Sequence, residues 1–388
     1  MACPLCSERR GYFWSLRRDT FLAVVFALLI VLFVVTGFAV RSYDAREVRL
    51  AWDWNKRGER DLEAGRPEAA LVDFRNALFH ARDNARYQLR LAQALAATGS
   101  NPQARTYLLS LRERDPGNGT VNLELARLAA REHAIPEASR YYHDAVYSEW
   151  EGDPVTKRRA VRLELVQFLL DSEQTEAARS ELIAVAANLP SDADLRARVA
   201  TLLVKVGGYD DALRLFRQAL ASQPHSAVAL AGAGECYFQM GRYPEAARYL
   251  ERAVQQDSHL VNAAAMLDTA RAVQNLDPFA RRLGEPESAR RAQLDFGQAL
   301  ARLNACAAQR GISLPAPGDD PLQKLYAQAA ALQPRARESV LGRDRDLLSN
   351  VMDQVFEIEQ TTSQVCGAPQ GIDLALLLIA RQQEATRP

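Results

Sequence analysis

The chain has 388 residues, of which 48% are apolar and 25% are charged, a balance typical of globular proteins that excludes a largely disordered chain. Its 48 basic and 48 acidic residues cancel, which argues against the strong positive field of a dedicated nucleic-acid-binding protein. Five cysteines exclude a small disulfide-framework protein, and five scattered histidines argue against a histidine-rich metal protein.

Residues 1–20 predict a short cytoplasmic tail that contains a CxxC sequence, Cys3-Pro-Leu-Cys6. Two thiolates supply half of a tetrahedral zinc site or form a redox pair, and a cysteine beside a membrane is also a target for acylation. No second pair of cysteines follows nearby, and no βαβ pattern surrounds the motif. We therefore prefer the interpretation of a reduced tail without a fixed structure.

Residues 21–40 predict a transmembrane helix. The run FLAVVFALLIVLFVVTGFAV has twenty residues without a charge, and Thr36 is its only polar residue. A helix of this length extends about 30 Å, which is the thickness of the hydrocarbon core of a bilayer. A cleaved signal peptide is the main alternative, because Gly37-Phe38-Ala39 has a small-x-small pattern. The long leader and the long apolar run favour an uncleaved single-pass anchor.

The flanking charges predict the orientation of this span only weakly. Four arginines precede it and six basic residues lie within residues 41–60, but a folding domain crosses a membrane largely regardless of its charge. Arg17 and Arg18 lie directly against the span. Only four of the 48 basic residues are lysines, which suggests a GC-rich bacterial genome. We expect a bacterial inner-membrane protein with its amino terminus in the cytoplasm and its bulk in the periplasm; the opposite orientation stays open.

A 34-residue repeat occupies most of a predicted domain of residues 41–278. Its frames begin at Ala51, Ala85, Gly119, Arg159, Ala193 and Ala227. Every interval is 34 residues except the third, which is 40. The six extra residues lie around 150–154, in a stretch typical of a loop, where an insertion costs little free energy.

Small and large side chains recur at fixed positions of these frames. Position 20 is always alanine: Ala70, Ala104, Ala138, Ala178, Ala212 and Ala246. Position 24 is always large: Phe74, Leu108, Tyr142, Leu182, Phe216 and Leu250. Position 15 is glycine in four frames: Gly65, Gly99, Gly207 and Gly241. The pattern predicts helix pairs in which small residues at positions 8 and 20 allow close approach, glycine ends the first helix, and the residue at position 24 fills the gap to the neighbouring pair.

These units resemble the tetratricopeptide repeat (TPR) family. The last full unit carries the resemblance best, through Gly234, Tyr237, Gly241, Ala246 and Leu250. The first unit adds Trp54 and Gly58 at the family's Trp and Gly positions, whereas His133 replaces the glycine at position 15 of the third unit. The resemblance covers residues 51–258 and implies an α-solenoid of about six helix pairs, with a helix at about 259–274 that closes the array.

The resemblance also implies a protein-binding groove, because positions 2, 5, 9 and 12 of the first helices line the concave surface in this family. Here the implied groove residues are Trp52, Asn55, Glu59, Arg86, Leu89, Gln93, Leu123, Arg127, Leu163, Gln167, Thr201, Val204, Glu235 and Phe238. Their mixed character suits an extended peptide or a partner helix. The Lys/Asn cluster with which chaperone-binding relatives hold a terminal carboxylate is missing, which disfavours a cochaperone role.

Residues 279–388 predict a small helical bundle. Helices are predicted at 287–310, 321–332, 335–361 and 373–380, and the alternation of Asp344 and Asp346 with arginines suggests an exposed face. Cys306 and Cys366 lie on either side of this bundle. A disulfide between them would close a loop of about sixty residues and contribute about 3–4 kcal/mol in an oxidising compartment. Two buried free thiols are the equal alternative.

The sequence predicts no catalysis. It contains no HExxH, GxSxG, Walker-type or GxGxxG motif, and repeat periodicity explains why His225 and His259 lie 34 residues apart. We predict no cofactor, no metal, no nucleic-acid partner and no small-molecule substrate. The leading prediction is an all-α, membrane-anchored scaffold for protein or peptide partners. The alternatives are an enzyme or ligand-binding protein with its site in the C-terminal domain, and a self-associating structural protein of the cell envelope.

Overall fold

A computed structural model describes residues 8–314, 316 and 318–386, and within these ranges it describes the side chains of residues 21–384. Cys3 and Cys6 lie outside the described residues, so the interpretation of the CxxC sequence stays a prediction. The described part of the chain forms eighteen helices and no strand, which confirms the all-α prediction.

The helices are α1 (Glu8–Glu63), α2 (Pro67–His80), α3 (Ala85–Ala97), α4 (Asn101–Arg114), α5 (Gly119–Arg131), α6 (Ile135–Tyr147), α7 (Pro154–Asp171), α8 (Thr175–Ala186), α9 (Ala193–Lys205), α10 (Tyr209–Ser222), α11 (Ala227–Gln239), α12 (Tyr243–Gln256), α13 (Val261–Leu276), α14 (Glu285–Gln309), α15 (Pro321–Leu332), α16 (Glu338–Leu341), α17 (Arg345–Cys366) and α18 (Gly371–Thr386). Helices α1 to α6 form three of the helix pairs predicted for an α-solenoid, and helices α9 to α12 form two more.

The chain divides into two compact units, residues 1–168 and 169–388. In the first unit, α1 packs on α2, α3 on α4 and α5 on α6. In the second unit, α9 packs on α10 and α11 on α12, and α13 contacts both α12 and the last helix, α18. The division into residues 1–20, 21–40, 41–278 and 279–388 remains a prediction.

Helix α1 joins the apolar run to the first repeat. It is one continuous helix of 56 residues, and every side chain of residues 21–40 is exposed. The described part of this helix, Phe21–Glu63, is long and apolar enough to cross a membrane, a property that signal sequences share. The repeat frame starts at Ala51, so about 16 Å of helix separates it from the end of the apolar run.

The first and second helices of every pair are joined by the same turn. The residue at frame position 15 has a positive φ in all six units: Gly65 (70°), Gly99 (78°), His133 (55°), Glu173 (59°), Gly207 (71°) and Gly241 (71°). The next residue donates its N–H to a carbonyl five residues back, as from Ser100 to Leu95 at 2.8 Å and from Ala134 to Ala129 at 3.0 Å. This is the Schellman pattern, which caps the last carbonyls of the first helix.

Size complementarity closes each helix pair. All six alanines at position 20 are fully buried. A Cβ atom added to Gly58 would lie 2.7 Å from Cε1 of Phe74, and one added to Gly234 would lie 2.6 Å from Cγ of Leu250. In these two units the large residue at position 24 fills the gap within its own pair, whereas Tyr142 packs on Phe168 of the following frame, as predicted. The ring of Phe216 likewise packs on Gly232 of the next pair.

The inserted segment is only partly a loop. Helix α7 begins at Pro154, five residues before the frame starts at Arg159, so part of the insertion lengthens this helix. The rest folds back on the start of α5: the ring of Trp150 packs on Gly119, and Glu149 O accepts the Gly119 N–H at 3.1 Å. The indole N–H of Trp150 is satisfied by Ala145 O at 2.9 Å.

The C-terminal helices differ from their predicted bounds in two places. The predicted helix 335–361 is interrupted at residues 342–344, because Asp344 caps α17 by accepting the Leu347 N–H at 2.9 Å. Asp344 is thus a helix cap and not part of an exposed alternating face. Helix α18 has 16 residues, twice the predicted length, and it buries Leu376 and Ile379.

Candidate protein-binding surface

The implied groove residues lie on the first helices of both units and differ in exposure. Four side chains are exposed: Trp52, Arg86, Gln167 and Thr201. Eight are partly buried: Glu59, Leu89, Gln93, Arg127, Leu163, Val204, Glu235 and Phe238. Asn55 and Leu123 are buried, with 2% and 8% of their surface exposed, so most of each side chain packs inside the protein.

Polar pairs connect consecutive first helices in the first unit. Position 9 of one frame contacts position 6 of the next in three pairs: Glu59 with Arg90 Nε at 3.4 Å, Gln93 with Glu124 at 3.0 Å, and Arg127 with Glu164 at 2.7 Å. The partners complement each other at every step, although the charges reverse between the first pair and the last. Part of the implied groove therefore holds neighbouring repeats together.

The strongest of these pairs is the bidentate one. Arg127 donates from Nε and Nη2 to the two carboxylate oxygens of Glu164, and this hydrogen bonding raises the pKa of the guanidinium group although burial opposes it. Glu164 also accepts the hydroxyl of Tyr142 at 3.1 Å. Burial and the negative charge of Glu164 raise the pKa of Tyr142, so that hydroxyl stays a donor at neutral pH.

Two cavities open beside the first helices of the first unit. The larger has a volume of about 490 Å³, and its lining includes Arg86, Leu89, Thr120, Glu149 and Lys157. Glu149 and Lys157 come from the inserted segment and the extended start of α7, which the family's groove positions do not include. In the sequence, the 40-residue interval between the third and fourth frames was the signal for Glu149 and Lys157, because it shows that this side of the cavity differs from a regular repeat.

The smaller cavity, of about 360 Å³, brings together three of the implied residues. Trp52, Asn55 and Arg86 line it with Lys56, Asn84 and Tyr87. The indole of Trp52 is 54% exposed. The buried Oδ1 atom of Asn55 accepts no hydrogen bond from the described residues. This cavity thus offers an exposed aromatic ring, a buried acceptor and a guanidinium group to a partner.

Glu235 is the only charged residue among the implied groove residues of the second unit. Thr201 and Val204 lie on α9, and Glu235 and Phe238 lie on α11. The ring of Phe238 meets Tyr243 edge to face, with centroids 5.4 Å apart. Burial raises the pKa of Glu235, and no described residue forms a hydrogen bond or an ion pair with its carboxylate.

The C-terminal helices contain a buried ionic cluster. Arg302 of α14 contacts Asp373 at 2.8 Å and Glu359 at 3.2 Å, and its Nε donates to Thr362 at 2.8 Å. Burial, strengthened by Asp373, raises the pKa of Glu359 to about 8. Because the cluster joins α14, α17 and α18, its evident role is to fix the packing of these helices.

Beside this cluster, Cys306 and Cys366 form a disulfide with Cα atoms 5.8 Å apart.

Cys236 is fully buried, and burial raises the pKa of its thiol to about 12. Residues 278–288 form a cavity of about 380 Å³ with α16 and α17, with Glu285 and Arg345 at its edge. Among the described residues, no group of three or more His, Cys, Asp or Glu side chains is placed to hold a metal ion.

Two sequence profiles of the tetratricopeptide repeat family match residues 61–117 and 198–261, one in each compact unit. The chain contains tetratricopeptide repeats. The repeats outside the two matched segments share the buried alanine at position 20 and the left-handed turn at position 15. No curated protein matches the sequence significantly.

Several solved structures are distantly similar. YrrB, described as having an unusual peptide-binding site, is 19% identical over 49% of this chain and 95% of its own, with a TM-score of 0.39. PilF of Pseudomonas aeruginosa is 16% identical over 56% and 96%, with a TM-score of 0.40. A tetratricopeptide repeat protein from Parabacteroides merdae is 12% identical over 79% and 99%, with a TM-score of 0.38. Similarities this distant carry no argument about function.

Proposed function

We propose that this tetratricopeptide repeat protein is a membrane-anchored scaffold. Residues 21–40 cross the inner membrane of a bacterium, the tail of residues 1–20 lies in the cytoplasm, and the repeats bind a protein or peptide partner on the other side. The chain performs no catalysis of its own. Its role is to hold the partner close to the membrane.

The observation that carries this proposal is the continuity of α1. A flexible linker would let the repeats move away from the membrane, whereas a helix keeps them at a fixed distance. Helix α1 runs without interruption from the apolar run into the first repeat. The first groove residue, Trp52, follows the apolar run by about 18 Å of helix. A partner bound there would lie close to the bilayer surface.

The exposed side chains near the start of the array support a binding role. Trp52 and Arg86 lie together at the smaller cavity, and Leu89 lines the larger one. Aromatic and arginine side chains are enriched among the residues that dominate protein–protein binding energy. An exposed tryptophan beside a guanidinium group and a cavity is suited to anchor one side chain of a partner.

The disulfide supports a periplasmic position. Cysteines oxidise and stay paired in compartments such as the periplasm, whereas cytosolic thiols are kept reduced. The Cα separation of Cys306 and Cys366 lies within the usual range for a disulfide. A periplasmic array places the basic tail, with Arg17 and Arg18, on the cytoplasmic side.

Site-specific photo-crosslinking tests the scaffold proposal. A photoreactive amino acid replaces Trp52 or, in a matched control, Val72 on the opposite helix of the same pair; the two side chains are 54% and 55% exposed. We expect the full chain in its own cell membrane to form one defined crosslinked band from position 52 and none from position 72. Equal crosslinking at both positions, or none at either, would contradict binding at the first helices.

A further inference from the structure

The first-helix surface of the second unit lacks the polar pairs of the first unit. Helices α9 and α11 pack side by side, as do α11 and α13. The positions that carry polar pairs in the first unit hold Thr201 with Gly232, and Glu235 with Met266. One carboxylate is therefore left on this surface without the complementary partner that the repeat pattern supplies elsewhere.

Apolar side chains accompany Glu235 along α11. Val228, Glu235 and Phe238 are spaced by seven and three residues, which places them on one face of the helix. Val228 is 60% exposed, although valine is usually buried. Val204 on the adjacent α9 is half-buried. We call these four residues the second-unit surface.

The carboxylate of Glu235 is poorly solvated in the free protein. Its side chain is partly buried, and burial alone accounts for the rise of its pKa. The exposed basic residues of α9, Arg198 and Lys205, form no ion pair with it. A partly desolvated carboxylate without hydrogen bonds is unfavourable, so a cation that reaches it gains a charge-assisted hydrogen bond and removes that cost.

We propose that the second-unit surface binds a peptide segment that carries one arginine or lysine among apolar side chains, with the basic group paired to Glu235 and the apolar groups against Val204, Val228 and Phe238. The inference rests on the proposed scaffold function, because it names the chemistry of the partner. Charge complementarity selects this occupant: an acidic or purely apolar segment would leave the carboxylate unpaired.

Selection from a random peptide library tests the inference. Displayed 12-residue peptides are panned against the full chain in lipid nanodiscs, and selected peptides are measured by fluorescence anisotropy. We expect enriched sequences with a single Arg or Lys between apolar residues. Their dissociation constant should rise about tenfold for Glu235→Gln, the loss typical of a hydrogen bond to a charged group. Glu176→Gln, an exposed carboxylate at the start of α8, is the matched control and should change nothing.

A charge exchange separates pairing from general damage. Glu235→Lys should bind poorly to the selected peptide but recover affinity for a peptide in which the basic residue is replaced by Glu. Val228→Asp, at an exposed position where the fold does not depend on the side chain, should also weaken binding of the original peptide. Affinity that is equal for wild type and Glu235→Gln, or selected peptides without a basic residue, would overturn this inference and leave the scaffold proposal intact. If no peptide is selected and position 52 gives no crosslink, the scaffold proposal itself fails.

Discussion

His133 and Glu173 adopt a backbone conformation that L side chains rarely take. Both occupy position 15 of their frames, where four other units have glycine, and their φ angles are 55° and 59°. A residue with a Cβ atom pays about 1–2 kcal/mol in the left-handed region. Both side chains are exposed, so packing does not offset this cost. The departure from the repeat pattern at His133 therefore changes the residue and not the turn.

Replacement of these residues by glycine should stabilise the protein. We expect His133→Gly and Glu173→Gly each to raise the free energy of unfolding by about 1 kcal/mol, because glycine adopts a positive φ without strain. Gly99→Ala, at the equivalent position with no atom within 4 Å of the added Cβ, should lower it by a similar amount. Urea unfolding of the full chain in detergent, followed by circular dichroism, measures the changes. A loss of stability in both glycine variants would contradict the common turn.

At the scale of single helices, the periodic positions were predicted well, and so was the cap at Asp320 of α15, but the N-caps of the repeat helices were not. The 34-residue period correctly placed the buried alanines at position 20, which depend on side-chain size, and the turns at position 15, where glycine in four units indicated a positive φ. The N-caps were missed although they recur one residue before a frame: Asn84, Asn118, Asp192 and Ser226 each accept a backbone N–H of their own helix. Their short polar side chains were a usable signal.

The polar pairs between consecutive first helices of the first unit were not predicted, because each helix was considered by itself. Position 9 was assigned to the groove from the family pattern alone. The structure places Glu59, Gln93 and Arg127 against position 6 of the following helix. Comparing the two positions across neighbouring frames would have exposed the complementary partners, because only stacking brings them together.

Asp295 on α14 makes the stability of the C-terminal helices depend on pH. It is fully buried, its two carboxylate oxygens accept no hydrogen bond from described residues, and burial raises its pKa to about 8. The folded state keeps this proton up to about pH 8, whereas the unfolded chain loses it near its ordinary value of about 4. The contribution of this proton to the free energy of unfolding is therefore complete below about pH 4, and it is lost progressively as the pH rises to about 8.

The variant Asp295→Asn should remove this dependence. We expect its advantage over the wild type to grow by about 2 kcal/mol or more between pH 5 and pH 8, because the amide has no proton to lose. Asp268→Asn, an exposed position on α13, is the control and should show no such growth. Thermal unfolding of the full chain at each pH provides the measurement. A constant difference between Asp295→Asn and wild type would rule out a buried, protonated carboxyl group.

At the scale of the whole molecule, the apolar run of residues 21–40 and the disulfide both bear on where in the cell the chain is located. Helix α1 carries the only described segment that is long and apolar enough to cross a membrane. The disulfide closes a loop of 60 residues and contributes about 4 kcal/mol to the free energy of unfolding by the loss of chain entropy in the unfolded state. Both agree with the proposal that the bulk of the chain lies in an oxidising compartment beside the membrane.

Reporter fusions should establish this topology. Alkaline phosphatase, which needs an oxidising compartment, is expected to be active when fused after Pro388 in a bacterial host, whereas green fluorescent protein at the same site should be dark. Deletion of residues 21–40 should abolish the phosphatase activity. The full-length fusion should also stay in carbonate-washed membranes. A shortened, soluble periplasmic product would show that the apolar run is a cleaved signal, and a fluorescent fusion would show the opposite orientation.

The sequence by itself determined the helical class, the repeat period, the alanine at position 20 of every frame and the apolar run. These features follow from side-chain size, backbone freedom and hydrophobicity, which are local properties that a period of 34 residues makes visible. Only the tertiary structure decided which implied groove residues hold neighbouring repeats, how the inserted segment builds a cavity wall, and which carboxyl groups are buried without partners. Those outcomes depend on which side chains from distant parts of the chain meet, and on how much water remains between them.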